Sequence, residues 1–262
     1  MKTNLKALLL SAVLAVTPMS MAVASGDAHY PKAPIDLRDQ ASLQRGAQIF
    51  MNYCISCHSA ATLRYNRLTD IGLTEDQIKN NLIFTDAKVG DLVKAAMPAN
   101  DAKEWFGTTP PDLSLIARSR GADYLYAYMR GFYQDPSRPS GWNNTVFDKA
   151  AMPHILWEQG GYRAVDLDQN GQPVLDEHGQ PKLHWVKGGL HTRLNGNEAD
   201  TTEYDNYVRD LVNFMVWVGE PAQQSRKRIG YLVLMYLLAV MLPLTYFLKK
   251  EYWKDVEHLL SV

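Results

Sequence analysis

The sequence predicts a mainly α-helical domain with loop and short β-hairpin insertions, tethered to a membrane by one helix near its C-terminus. Three patterns carry that expectation. Tyr204, Tyr207, Val208, Leu211, Val212, Met215 and Val218 recur at helical spacing. Residues 41–53 hold a shorter stripe, with Leu43, Ile49 and Phe50 on one side. Residues 229–248, IGYLVLMYLLAVMLPLTYFL, run 20 positions without a charge, and at about 1.5 Å per residue they match a hydrocarbon core of roughly 30 Å.

The chain opens with Lys2 and Lys6, continues through an apolar run from Ala7 to Val16, and reaches the small-residue pattern Ala22-Val23-Ala24. This reads as a secretory signal peptide over residues 1–24, its apolar core too short to span a bilayer comfortably. The roughly 200 residues that follow, 25–225, suffice for one domain with a proper core, working outside the cytoplasm. That stretch carries 19 Lys and Arg against 25 Asp and Glu, an acidic balance that repels nucleic acid and suits a basic protein partner.

The helix over 41–53 leads directly into Cys54-Ile55-Ser56-Cys57-His58, which holds both cysteines of the 262-residue chain. A disulfide across so small a loop would contribute little chain entropy. A redox dithiol has no need of the histidine, and zinc would need two further strong ligands close by. Cys-x-x-Cys-His in an exported protein points instead to covalent attachment of one c-type haem. Cys54 and Cys57 lie about one helical turn apart, so each sulfur can add to one haem vinyl group, while His58 supplies a nitrogen to the iron.

One axial position remains. Lys94-Ala95-Ala96-Met97-Pro98 and Lys149-Ala150-Ala151-Met152-Pro153 both offer a thioether, and His154 offers a second imidazole. A thioether raises the potential and suits one-electron exchange, a histidine lowers it, and an open site suits gas or peroxide chemistry. Haem domains of this sort place a proline-containing stretch on the histidine side, ahead of the methionine loop. Here that stretch is Thr108 to Tyr124, which Met152 follows and Met97 precedes.

Further along, Asp166, Asp168, Asn170, Gly171 and Glu177 match the EF-hand calcium-loop pattern. Their flanks look like strand or coil, however, and Pro173 falls where such a loop pairs through its backbone. The stretch is also a tandem repeat: Leu167-Asp168-Gln169-Asn170-Gly171-Gln172-Pro173 returns eight residues later as Leu175-Asp176-Glu177-His178-Gly179-Gln180-Pro181. A surface β-hairpin over 166–182 is the simpler reading. Asn143-Asn144-Thr145 fits a glycosylation acceptor, a match too short to carry weight. Thr202 and Asp205 suit the start of the following helix, and Gly219 and Pro221 its end. Pro243 is expected to kink the membrane span, which such helices tolerate. Arg226-Lys227-Arg228 before the span balance Lys249, Lys250 and Lys254 after it, so basic flanks give no orientation. The signal peptide decides it: the domain is outside and residues 249–262 form a cytoplasmic tail.

Cys54 to His58, Pro110-Pro111-Asp112-Leu113-Ser114, Ala151-Met152-Pro153 and the tail Leu248-Lys249-Lys250-Glu251-Tyr252-Trp253-Lys254-Asp255 form an ordered set. Along essentially the whole mature chain it resembles cytochrome c1, the haem subunit of ubiquinol–cytochrome c reductase (the bc1 complex), in its bacterial form. The resemblance implies a class I cytochrome c-like haem domain with axial ligands His58 and Met152. It implies a Pro111 carbonyl near the other nitrogen of His58, and Arg120 near a haem propionate with Tyr124 close by. It implies an electron-transfer subunit of a quinol–cytochrome c oxidoreductase, taking one electron from the Rieske iron–sulfur protein through haem c to a soluble cytochrome c. Its anchor would pack against cytochrome b in a dimeric complex of the bacterial inner membrane, with the haem domain periplasmic and no acid, base or nucleophile required of this chain. The repeat over 166–182 is outside the shared motifs.

Two other functions remain compatible with the haem motif: a stand-alone membrane-anchored cytochrome c carrier, and a haem-based sensor with an open iron site. Spacing bears on the first. About seven residues, at most roughly 25 Å of chain, separate Gly219 from Arg226, whereas a mobile carrier is better served by a long flexible linker.

Overall fold

The computed structural model describes residues 30–260 apart from 178 and 197; the expected signal peptide over 1–24 lies outside them. In chain order the elements are α1 (Gln40–Tyr53), β1 (Ala60–Arg64), a 3-10 turn (Tyr65–Ile71), α2 (Glu75–Asn81), β2 (Leu92–Val93), α3 (Ala99–Phe106), α4 (Ile116–Arg120), α5 (Ala122–Arg130), β3 (Phe132–Gln134) and β4 (Trp142–Asn144). There follow α6 (Trp157–Gly160), β5 (Tyr162–Val165), β6 (Leu183–Lys187), β7 (Arg193–Asn195), β8 (Glu198–Asp200), α7 (Thr202–Gly219), α8 (Gln223–Tyr236) and α9 (Leu242–Leu260).

The core forms where α1 crosses α7. Leu43, Ile49 and Phe50 of α1 are buried, as are Tyr204, Val208, Leu211, Val212, Met215 and Val218 of α7. At Gly46 a Cβ would stand 2.0 Å from the Asp210 carbonyl oxygen and 2.6 Å from Phe214 Cβ, so the two backbones approach only because that side chain is missing. Phe50 and Phe214 close the contact with ring centres 5.7 Å apart.

The crossing also encloses a charge. Asp210, 4% exposed, accepts hydrogen bonds from Ser42 Oγ (2.7 Å), Arg45 Nε (2.5 Å) and Arg209 Nη2 (2.9 Å). Burial opposes its ionisation, but the bonds from Arg45, Ser42 and Arg209 outweigh that and hold the carboxyl below the usual carboxylate range. Asn213 Nδ2 donates to Ser42 Oγ (3.0 Å) and to the Asp36 carbonyl (2.9 Å), binding the segment before α1 to the same cluster.

Helix α7 starts at Thr202 and stops at Gly219, as the sequence predicts. Its first turn differs from expectation. Asp200 Oδ1 accepts the Thr202 N–H at 3.0 Å, and Asp205 is engaged by Arg130 of α5 at 2.6 and 3.0 Å. The acidic start thus serves packing against α5 as well as local bonds, Asp205 also accepting from Thr201 Oγ1 at 3.2 Å.

Strands β4-β3-β5-β6 form one sheet, with β3 and β5 parallel and the other pairs antiparallel. The tandem repeat joins β5 to β6, but it is two successive turns and not one hairpin. Val174 N–H bonds to the Asp166 carbonyl, Lys182 N–H to that of Val174, and Asp166 N–H to that of Lys182, at 2.8 to 2.9 Å. Equivalent positions of the repeat therefore stack on one another. Asp168 Oδ1 accepts the N–H groups of Asn170 and Gln172, and Asp176 Oδ1 that of Gln180. Asp168 of the calcium-like pattern thus serves backbone donors, as does its repeat equivalent Asp176, and among the described residues no group of three or more His, Cys, Asp or Glu is placed to hold a metal.

Gln223 to Lys254 is one continuous apolar helix, unburied against the domain and long enough to cross a membrane. Ahead of Pro243 the helix widens to a π turn over Leu237–Met241, which relieves the missing N–H and the clash a proline imposes on the preceding turn. Only Glu220, Pro221 and Ala222 separate α7 from α8. Glu220 accepts from Arg118 Nη1 at 2.9 Å and from the guanidinium of Arg226, with Nη2 at 3.1 Å.

Three outcomes follow for the detergent-solubilised chain. Gly46→Ala should cost about 2 kcal/mol in urea unfolding, an overpacking penalty at a helix crossing. Asp210→Ala should cost about 3 kcal/mol by leaving Arg45 and Ser42 without their acceptor. Because the folded carboxyl titrates below its unfolded value of about 3.9, its contribution is full above that pH and fades as pH falls further. Asp210→Asn should therefore flatten the acid limb of the stability profile.

Candidate haem site

Helix α1 hands over to the cysteine motif through Cys54, whose N–H still bonds to the Phe50 carbonyl at 2.9 Å. The Cys54 carbonyl then accepts the N–H groups of Cys57 (3.1 Å) and His58 (2.8 Å), closing a tight turn. That turn presents Cys54, Cys57 and His58 to one cavity of about 480 Å³.

The segment Pro110 to Ser114 runs alongside residues 58–62 and is locked there. Leu113 N–H bonds to the Ser59 carbonyl at 2.7 Å, Ala61 N–H to Asp112 Oδ2 at 2.9 Å, and Thr62 N–H to Ser114 Oγ at 3.1 Å. This register leaves the Pro111 carbonyl 2.8 Å from His58 Nδ1. Burial pulls the His58 pKa down, against an opposing pull from the Pro111 bond. The neutral ring then carries its proton on Nδ1, donated to Pro111, and leaves the Nε2 lone pair for a metal. Burial pushes the Cys54 thiol up to about 12, the opposite of the depressed pKa a redox dithiol needs.

The remaining walls are apolar. Helix α7 contributes Leu211 and Met215, α5 contributes Leu125 and Met129, and the loop after β4 contributes Phe147, Met152 and Ile155. Met152 Sδ accepts a hydrogen bond from the Tyr128 hydroxyl at 3.8 Å. Burial pushes that phenol up to about 12, so it remains a donor. Met97 lines a smaller neighbouring pocket with Lys94, Thr109 and Asp112, which shares Cys57 and Pro110 with the first but not His58. His154 faces the core: it stacks on Phe132 with ring centres 5.1 Å apart, and its Nε2 lies 3.2 Å from the Gly161 carbonyl. Burial pushes its pKa down to about 4. Arg120 stands at the rim, its guanidinium 5.6 Å from the Tyr124 ring centre, and Tyr124 stacks on Tyr128 at 5.9 Å.

All seven expected residues, Cys54, Cys57, His58, Pro111, Arg120, Tyr124 and Met152, thus border the cavity or its rim. Its size falls in the usual range of ligand sites. Paired sulfurs, an imidazole with a free nitrogen and a thioether in one apolar chamber fit a covalently attached haem.

Fold and site together fit the class of haem proteins that carry one helix long and apolar enough to cross a membrane. A family model of cytochrome c1 matches residues 31–169 and 193–256. The chain is 44% identical to cytochrome c1 of Allochromatium vinosum, over 96% of this chain and 100% of that one. It is 27% identical to cytochrome c1 of Rhodospirillum rubrum, over 84% of each. A Nitrosomonas europaea protein named ammonia monooxygenase gamma subunit is 47% identical over 96% of this chain and 98% of its own, and is a member of the same family under another label. The chain belongs to the cytochrome c1 family and serves electron transfer in the bc1 complex. The family match skips residues 170–192, which contain most of the stacked repeat.

Sequence reasoning missed the scaffold of the methionine loop. Asn143 and Asn144 are 4% and 2% exposed, so the apparent glycosylation acceptor is buried. Asn143 Oδ1 accepts the Lys149 N–H at 2.9 Å, and Asn144 Oδ1 the Val146 N–H at 2.8 Å. Asn144 Nδ2 donates to the Tyr128 carbonyl at 2.8 Å, joining the loop to α5. Two adjacent asparagines, whose amides mimic backbone groups in turns, were the available signal. Asn143→Ala should speed hydrogen exchange at the Lys149 amide about 3-fold, a partial loss because Asp148 Oδ1 at 2.8 Å still accepts that N–H.

Proposed function

We propose that the chain holds one haem c through thioethers to Cys54 and Cys57, with His58 and Met152 as axial ligands, in a class I cytochrome c-like domain. One electron arrives from the Rieske iron–sulfur protein and leaves to a soluble cytochrome c. The domain over 25–225 is periplasmic, 229–248 spans the inner membrane beside cytochrome b in a dimeric complex, and 249–262 is cytoplasmic. The observation that carries this reading is that His58 and Met152 border one apolar cavity, with His58 Nδ1 already committed to Pro111.

The haem supplies reversible one-electron chemistry; the residues set its conditions. The Pro111 carbonyl orients the imidazole and raises its donor strength. The thioether of Met152 favours the reduced state and a high potential. Apolar walls from α5 and α7 would exclude water, and the Arg120 guanidinium would offset the negative charge of the group's carboxylates. No side chain moves a proton or attacks a substrate, and the quinol chemistry belongs to the partner subunits. The three-residue join to the anchor favours a fixed station over a roaming carrier.

The test is a spectrum of the purified protein in both redox states, including the weak near-infrared sulfur-to-iron band. Met152→Leu should abolish that band and lower the midpoint potential far more than Met97→Leu. A reversed pattern would move the ligand to Met97. Cys57→Ala should weaken the haem-stained band on a denaturing gel. Mild-detergent purification should bring cytochrome b and the Rieske protein along; their absence would favour a stand-alone carrier.

A further inference from the structure

We infer that Tyr128 is a positioning residue of the electron-transfer site, its hydroxyl hydrogen-bonded to the sulfur of Met152 so as to fix the thioether and moderate its donor strength. This rests on the reading of Met152 as the axial ligand.

The geometry is specific to one member of the twin segments. Tyr128 Oη lies 3.8 Å from Met152 Sδ, and Met97 lines a different pocket. Tyr128 itself is held on several sides. Its ring stacks on Tyr124 at 5.9 Å and meets Phe132 edge-on at 5.2 Å. Its carbonyl accepts from Asn144, the residue that also ties down the methionine loop through Val146. Donor and acceptor therefore share one scaffold, and their separation is set by it.

Methionine turns about three side-chain bonds and adapts easily, so a single fixed donor narrows its orientations. A thioether sulfur has two lone pairs. If one serves the metal, a hydrogen bond on the other draws electron density from the sulfur. That weakens donation to the oxidised metal more than to the reduced one and lifts the potential.

The test is Tyr128→Phe in the full, haem-loaded chain, which keeps the ring and removes only the donor. The midpoint potential should fall, and the equilibrium constant for taking an electron from a donor of fixed potential should drop about 2- to 10-fold, the scale of one net hydrogen bond. The near-infrared sulfur-to-iron band should move or vanish, while the thermal midpoint stays near that of the parent. A band and potential both unchanged would overturn the inference and leave Tyr128 as packing. Met152→Leu separates the two claims. If the band survives that change, the ligand assignment fails and takes the inference with it. If the band is lost there yet untouched in Tyr128→Phe, only the role of Tyr128 falls.

Discussion

The structure depends on the close crossing of α1 and α7 at Gly46. One helix runs into the cysteine motif and the other towards the long apolar helix, so this contact sets where the Cys54–His58 turn sits relative to the start of that helix. It joins positions 168 residues apart, as in the bond from Ser42 to Asp210, and must offset the entropy of closing that length of chain. Backbone proximity supplies dense packing, and the buried Asp210 makes the register unique. A shift of one helical turn would leave its carboxylate among apolar side chains without Ser42 or Arg45, at a cost of several kcal/mol.

The site itself is assembled from three segments that are each secured from outside the cavity. The cysteine turn is closed by the Cys54 carbonyl, the Pro110–Ser114 segment by ladder-like bonds to residues 58–62, and the methionine loop by Asn143 and Asn144. None of these bonds uses the groups that face inward; those groups are engaged separately, His58 by Pro111 and Met152 by Tyr128. The inward groups are therefore placed by bonds made among protein groups alone, an arrangement that favours low reorganisation in electron transfer and donor atoms held in a defined direction.

What the sequence made legible is what lies within one turn or one stripe. The Cys54–His58 motif states its chemistry locally, and the apolar periodicity of α7 and the uncharged run of the anchor follow from helix geometry alone. The choice between Met97 and Met152 was harder, because their flanks are nearly the same and the deciding fact is which cavity each loop reaches. Segment order pointed to Met152, and that residue does border the chamber with His58. Gly46 was invisible, since a glycine within a helix ordinarily only weakens it. Nothing in the sequence singles out Asp210, whose partners Ser42 and Arg45 lie more than 160 residues away, and Asn143 enters it only within an apparent glycosylation acceptor. The tandem repeat announced turns, but the bonding of Asp166, Val174 and Lys182 to one another is a property of the stack, not of either copy.

The join between domain and anchor has a mechanical meaning. Glu220 bonds Arg118 on the domain side and Arg226 on the helix side across a join of three residues, so a change in the angle of the helix is passed to the domain with little slack. A bilayer thicker or thinner than the apolar span changes helix tilt, and here such a tilt would swing the haem crevice through an arc above the lipid surface. Membrane thickness thereby becomes a variable in how far, and at what angle, redox partners must reach.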